Sequence, residues 1–147
     1  MQIVSEFAAI LSSALFAGAA LYINLVEHPA RMLCGTETAA AVFGPSYRRA
    51  TVMQVTLAMV ATISSIVSWW LDDSILWAVG ALLIFAVIPF TLIVILPTNK
   101  ELLAPSLDRK SANTHKLLVR WGRLHAVRTA ASLAAIIIFL VATLRTK

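Results

Sequence analysis

Four side chains at the start of the last apolar segment form a stripe that could do chemistry. Trp121, His125, Arg128 and Ser132 fall within about 60° of one another on a helix that turns about 100° per residue. A neutral imidazole beside a cation can remove a proton from a substrate and stabilise the resulting oxyanion. Because ionisable groups on the inward face of a membrane helix are costly, this stripe is a candidate functional site.

A second polar stripe closes the first apolar segment. Asn24, Glu27, His28 and Arg31 share one face if the helix continues past Pro29, which should kink or loosen it. Polar residues also stand at the start of the second apolar segment and at the end of the third, namely Tyr47, Gln54, Asn99 and Glu101.

The composition indicates that most of the chain is surrounded by lipid. Of the 147 residues, 60% are hydrophobic and 13% are charged, against roughly 45–50% and 25% in soluble domains. The net charge of +5 indicates a basic membrane face. Nucleic-acid binding is not expected, because the chain has no soluble basic domain to carry it. A single cysteine, Cys34, excludes an internal disulfide.

Four apolar segments predict an all-α, integral-membrane four-helix bundle with up-down-up-down topology. The predicted spans are about 3–27, 47–71, 75–96 and 117–144, each near or above the roughly 20 residues that cross a bilayer. They form one domain over residues 1–147. The connection at 32–45 contains Gly35, Gly44 and Pro45, and either a short amphipathic helix or a re-entrant piece fits it.

The distribution of cations predicts the orientation. One face of the bundle collects Arg31, Arg48, Arg49, Lys100, Arg109, Lys110, Lys116, Arg120, Arg123 and Arg128, whereas the opposite face has only Arg145 and Lys147. The positive-inside rule therefore places both termini outside the cytoplasm, in a multi-pass protein of a bacterial-type inner membrane. We expect Arg31, Arg48, Arg49 and Arg123 to be headgroup or topology charges.

Antiparallel spans bring the four polar helix ends to this cytoplasmic side, which predicts a polar cavity with an apolar floor. His28 and His125 are the candidate catalytic residues. The predicted substrate-binding residues are Asn24, Tyr47, Asn99, Trp121 and Arg128. Arg128 is expected to pair with Glu27 or with a substrate oxygen. The expected partners are the lipid bilayer and a hydrophobic small molecule. Stripes of small residues fit either the bundle interior or a homo-oligomer seam.

Metal binding is the competing interpretation of the paired histidines. His28 and His125 could ligate copper or iron, or hold haem iron from two facing helices. The sequence contains no His-x-x-Glu-His motif, no Cys-x-x-Cys-His motif and no clear third ligand, so no cofactor is obligatory. A non-enzymatic haem or metal carrier, or a small membrane subunit, stays open beside an enzyme.

The same motifs resemble a known family. Residues 24–31 (NLVEHPAR), 96–102 (LPTNKEL) and 121–128 (WGRLHAVR) are similar to hallmarks of the DUF1772, or anthrone oxygenase-like, membrane proteins, and the hydrophobic plan matches over nearly the whole chain. Characterised members oxidise polyketide anthrones to anthraquinones with O₂ and without a classical organic cofactor. The resemblance implies a membrane monooxygenase in which His28 and His125 match the family histidines, with Asn24, Asn99, Trp121 and Arg128 around them.

Overall fold

Four long helices make up the bundle in a computed structural model that describes residues 1–145. Helix α1 is Gln2–Leu33, α2 is Thr36–Asp72, α3 is Ile75–Leu102 and α4 is Ala112–Arg145. Each is long and apolar enough to cross a membrane, and residues 1–145 contain no strand. The predicted all-α four-helix bundle is therefore confirmed. Lys147, one of the two cations predicted for the opposite face, lies outside the described residues.

Short connections make consecutive helices antiparallel. The α1–α2 turn contains Gly35 at φ 91°, a backbone conformation that favours glycine. The α2–α3 turn contains Asp73 in the left-handed region. Each helix packs against its two neighbours in a closed ring, in which α4 also packs against α1. The end of α1, the start of α2, the end of α3 and the start of α4 therefore lie together at one end of the bundle.

The region before the second predicted span is helical. Residues 36–45 belong to the continuous helix α2, which contains Pro45. Ala39, Ala40 and Phe43 are buried there against the ends of the other helices. This segment is therefore an extension of α2, where the sequence left an amphipathic or a re-entrant piece open.

Two π-helical turns interrupt α1 and α3 at corresponding places. They are Ile23–Glu27 and Thr91–Ile95, and each ends two residues before a proline, Pro29 and Pro97. A proline has no N–H and its ring crowds the carbonyl four residues earlier, which in both helices lies inside the wider turn. The α1 helix therefore continues past Pro29, and its π-helical turn contains Asn24.

The bundle interior contains two apolar clusters at different heights. One cluster includes Phe16, Trp77, Ile84 and Phe139, and the Trp77 and Phe139 rings stack with centroids 5.3 Å apart. The second cluster, at the polar helix ends, comprises Ile23, Ala39, Ala40, Phe43, Ile95, Leu102, Leu117, Leu118 and Trp121. Residues of both clusters line one cavity between them.

Candidate functional site

A cavity of about 110 Å³ lies within the half of the bundle that carries the polar helix ends. This volume far exceeds the roughly 10–15 Å³ needed to hold one water molecule. The wall includes apolar side chains such as Phe16, Ile23, Phe43 and Val87. The polar residues that line it are Arg31, Ser46, Tyr47, Thr51, Gln54, Thr91, Asn99, Trp121, His125 and Arg128. The cavity therefore has both polar groups and apolar walls, as the sequence predicts.

The exposed part of the cavity wall belongs to α2 and α3. Val55 on α2 and Leu92 on α3 line the cavity, and their exposed fractions are 46% and 58%. Thr51 and Ile88, on the same two helices, are half-buried lining residues. The cavity therefore approaches the outer surface of the bundle between α2 and α3, where the flanking side chains are mainly apolar.

His125 is the histidine on the cavity wall. Its side chain is 1% exposed, and its Nδ1 atom lies 2.7 Å from Asn24 Oδ1. Asn24 Oδ1 also accepts a hydrogen bond of 2.5 Å from Thr129 Oγ1, and Asn24 Nδ2 donates to the Gly122 carbonyl at 3.1 Å. Asn24 itself does not line the cavity. It contacts His125 from α1, and Thr129 extends the network one turn along α4.

Trp121 contacts the rings of both predicted catalytic histidines. Its centroid lies 4.9 Å from that of His125 and 5.2 Å from that of His28. Phe43 meets Trp121 edge-on at 5.3 Å and stacks on Tyr47 at 5.8 Å. An aromatic row thus runs from Tyr47 on α2 to the histidines, and its residues Tyr47, Phe43, Trp121 and His125 all line the cavity.

His28 occupies a different position from His125. It is 8% exposed and is not among the cavity-lining residues. Its Nε2 edge faces the α4 backbone so closely that a Cβ atom on Gly122 would lie 2.6 Å from Nε2. His28 Nδ1 is buried without a hydrogen-bond partner among the described residues. His28 therefore packs beside Trp121 and against α4.

Arg128 brings a cation to the cavity wall. Its Nη2 donates to Gln54 Oε1 at 2.8 Å, and its guanidinium carbon lies 5.5 Å from the centroid of the Phe16 ring. Its Nε is buried and has no hydrogen-bond partner, and no carboxylate in residues 1–145 forms a salt bridge with it. Arg128 is therefore a half-buried cation without an anionic partner in the described chain.

Glu27 is paired with Arg31, so of the two partners expected for Arg128, Glu27 is wrong and a substrate oxygen stays a prediction. The Arg31 guanidinium donates to Glu27 one turn earlier, and Ser46 Oγ donates to the same carboxylate at 3.0 Å. Arg31 is 7% exposed and lines the cavity, so it is not the headgroup charge that we expected. The reason is local: Arg31 lies one helical turn after Glu27 on the inward face, where the carboxylate offsets its charge.

Two amides on the cavity wall have unpaired polar atoms. Gln54 is 3% exposed and its Nε2 has no partner within the described residues, while Asn99 is 1% exposed and its Oδ1 is likewise unpaired. Burial of an unpaired polar group costs about 1–3 kcal/mol. The wall therefore offers a donor on α2 and an acceptor on α3 to a molecule bound between them.

The predicted substrate-binding residues divide into two groups. Tyr47, Asn99, Trp121 and Arg128 line the cavity with His125, whereas Asn24 lies behind His125. Sequence reasoning missed Thr129, Phe16 and the inward position of Arg31. Thr129 lies four residues after His125, so the helical repeat that grouped His125 with Arg128 could also have identified it.

The described residues offer few side chains that could bind a metal ion at this site. Residues 1–145 contain no group of three or more His, Cys, Asp and Glu side chains arranged to hold a metal ion. His125 Nδ1 is already engaged by Asn24, and His28 lies outside the cavity lining. The geometry therefore offers one cavity-facing imidazole, with cationic and amide groups around it.

Comparison with known proteins identifies the family. No curated protein and no solved structure gave a significant match. The family model described as anthrone oxygenase matches residues 43–138, which is more than half of the chain. The matched range contains Tyr47, Asn99, Trp121, His125 and Arg128, and it begins after Asn24 and His28. By this match and by its four apolar helices, the chain belongs to the anthrone oxygenase family.

Proposed function

We propose that the protein is a membrane oxygenase that oxidises a hydrophobic, anthrone-like aromatic compound with O₂. The observation that carries the proposal is that an imidazole and a guanidinium with no carboxylate partner among the described residues share one wall of a largely apolar cavity. His125 acts as the general base and Arg128 binds the oxygen on which negative charge develops. Family membership supports both the reaction type and an anthrone-like substrate, and the residues of the cavity wall are compatible with both.

The proposed reaction converts a methylene group into a carbonyl group. His125 removes one proton from a CH₂ that lies between two aromatic rings and opposite a ring ketone. The resulting carbanion is delocalised onto the ketone oxygen, and it is electron-rich enough to react with O₂. Carbon–oxygen bond formation and protonation give a hydroperoxide. Loss of the second C–H proton and cleavage of the O–O bond then yield the new carbonyl and one water molecule.

The remaining wall residues match such a substrate. Arg128 and the unpaired Nε2 of Gln54 offer donors to a ketone oxygen as its charge grows. The unpaired Oδ1 of Asn99 accepts from a ring hydroxyl. Trp121, Phe43 and Tyr47 present aromatic surface to a planar ring system. Arg128 and Gln54 are therefore assigned to the ketone oxygen, and Asn99 is assigned to a ring hydroxyl.

We further propose that the cavity opens towards the cytoplasmic leaflet of a bacterial-type inner membrane, with both termini on the opposite side. The support is the excess of cations in the α1–α2 and α3–α4 connections and the adjoining helix ends. A lipid-soluble substrate would enter sideways past Val55 and Leu92, the exposed lining residues on α2 and α3.

Replacement of His125 by Ala tests the proposal. Purified protein in detergent is supplied with an anthrone, and O₂ consumption and quinone formation are followed. We expect His125→Ala to lose about 10²–10⁴-fold in turnover, the usual contribution of a general base. The matched control is His115→Ala, which removes an exposed histidine near the α4 start. Unchanged turnover in a folded His125→Ala protein would refute the assignment of His125.

An absorption spectrum and elemental analysis distinguish this proposal from haem or metal carriage. A Soret band, or copper or iron in stoichiometric amount, that disappears in His125→Ala would make His125 a ligand and not a base. We expect the His125→Ala and wild-type proteins to have the same metal content and the same spectrum.

A further inference from the structure

We propose that Asn24 is a positioning residue that fixes the tautomer of His125. The inference rests on the proposed function, since it explains how His125 is prepared to act as a base. It replaces the substrate-binding role predicted for Asn24, which contacts His125 from behind and does not line the cavity.

The orientation of the Asn24 amide follows from its contact with α4. Asn24 Nδ2 donates to the Gly122 carbonyl at 3.1 Å. A carbonyl oxygen only accepts, so the NH₂ group of the amide must face Gly122. The amide oxygen Oδ1 must then face the opposite way, towards His125 and Thr129. The Thr129 hydroxyl, 2.5 Å from Oδ1, agrees with this because it donates there.

The orientation of the amide determines which nitrogen of His125 carries the proton. Asn24 Oδ1 has no hydrogen, so the contact of 2.7 Å requires His125 Nδ1 to be the donor. A neutral imidazole carries a hydrogen on only one nitrogen. His125 Nε2 therefore holds the lone pair. With the other tautomer, two acceptors would face each other at 2.7 Å, and the Nε2 atom could not accept a proton.

The lone pair on Nε2 is the one available to a substrate. His125 lines the cavity, its Nδ1 is engaged, and Nε2 has no hydrogen-bond partner among the described residues. Asn24 reaches His125 from the π-helical turn Ile23–Glu27 of α1. Turns of this kind often occur at functional sites because they redirect side chains. The π-helical turn before Pro29 therefore places Asn24 where its side chain can fix the tautomer of His125, the proposed base.

The first test measures the tautomer directly in the full-length protein. The chain is purified in detergent with ¹⁵N-labelled histidine, and the ring nitrogen shifts and couplings of His125 are identified by their absence from His125→Gln. We expect wild-type His125 to be protonated on Nδ1 and unprotonated on Nε2. The opposite tautomer in the wild-type protein would overturn the inference without use of any Asn24 variant.

The second test removes the acceptor. Asn24→Leu keeps the approximate side-chain volume, and Asn113→Leu is the matched control because Asn113 is exposed. We expect Asn24→Leu to shift His125 towards the Nε2-protonated tautomer and to lower kcat on the order of 10²-fold with little change in KM. An unchanged tautomer in Asn24→Leu would also overturn the inference. A shifted tautomer with unchanged kcat would support the role of Asn24 and refute His125 as the base.

A milder variant covers the case in which Asn24→Leu does not fold. Thr129→Val removes one donor to Asn24 Oδ1 and leaves the contact with His125 in place. We expect the Nδ1-protonated tautomer to persist in Thr129→Val, with kcat reduced only a few-fold. Loss of that tautomer in Thr129→Val would show that Thr129, and not Asn24, determines the protonation of His125.

Discussion

Replacement of Arg128 by Met should separate substrate binding from stability. Arg128 lies on the cavity wall with Nη2 bonded to Gln54, with Nε unpaired, and with no carboxylate partner in the described residues. Met keeps an unbranched stem beside Phe16 and removes the charge. The cation has no anionic partner to lose, but its removal leaves the buried Gln54 Oε1 without a donor. Because relief of the half-buried charge offsets the loss of this hydrogen bond, we expect the melting temperature of Arg128→Met to stay close to that of the wild type.

The effect on catalysis follows from the bond that the substrate oxygen would lose. A hydrogen bond to a charged group contributes about 1.5–3 kcal/mol. At about 1.4 kcal/mol per factor of ten, kcat/KM should fall roughly ten- to 150-fold. The control is Arg123→Met, because Arg123 is exposed on the same helix.

The assay compares two ligands in both variants. One is an anthrone, and the other is an inhibitor of the same ring size in which the ketone is replaced by CH₂. Arg128→Met should lower kcat/KM for the anthrone and leave the inhibition constant of the ketone-free compound within about two-fold of wild type. Equal losses for both ligands, or a marked fall in melting temperature, would show that Arg128 supports the fold and does not bind the substrate oxygen.

Three further predictions concern other parts of the site. Gly122→Ala should destabilise the protein by about 1–3 kcal/mol, because the new Cβ would lie 2.6 Å from His28 Nε2. The control Gly18→Ala, with nothing within 4 Å of the new Cβ, should leave the melting temperature unchanged or raise it slightly, because alanine favours a helix more than glycine does. Asn99→Leu should raise the melting temperature without ligand, since it removes a buried unpaired oxygen, and should raise KM for a hydroxylated substrate; a lower melting temperature would refute this. Cys34, exposed in the α1–α2 turn, should resist a membrane-impermeant maleimide in intact cells and react once the membrane is opened, and labelling of intact cells would reverse the proposed orientation.

Hydropathy and helical periodicity were sufficient to predict the bundle. Apolar segments long enough to cross a bilayer leave few alternatives to helices, and short connections make neighbouring helices antiparallel. The same reasoning grouped Tyr47, Asn99, Trp121, His125 and Arg128, which do line one cavity because each lies on the inward face of its helix. It also grouped Asn24 and His28 with them, and these two residues do not line the cavity. These features depend on single helices and on their order along the chain.

Features that depend on contacts between helices could not be predicted in this way. Glu27 was one of two partners expected for Arg128, and this alternative was wrong because the sequence does not show whether Arg31 or Arg128 approaches Glu27. The π-helical turn that contains Asn24 changes which side chains share a face, and a regular 3.6-residue repeat does not anticipate it. The position of His28 beside Trp121 depends on the absence of a Cβ at Gly122. Grouping residues by the helix face they share does not reveal such a contact between helices.

Deuterium exchange into the substrate without O₂ tests most directly whether His125 removes the proton. The protein is mixed anaerobically with an anthrone in D₂O buffer, and deuterium incorporation at the ring CH₂ is followed by NMR against a protein-free reaction. Wild type and His115→Ala should accelerate exchange equally, and His125→Ala should leave it at the protein-free rate. Exchange by His125→Ala at the wild-type rate would contradict the central role of His125.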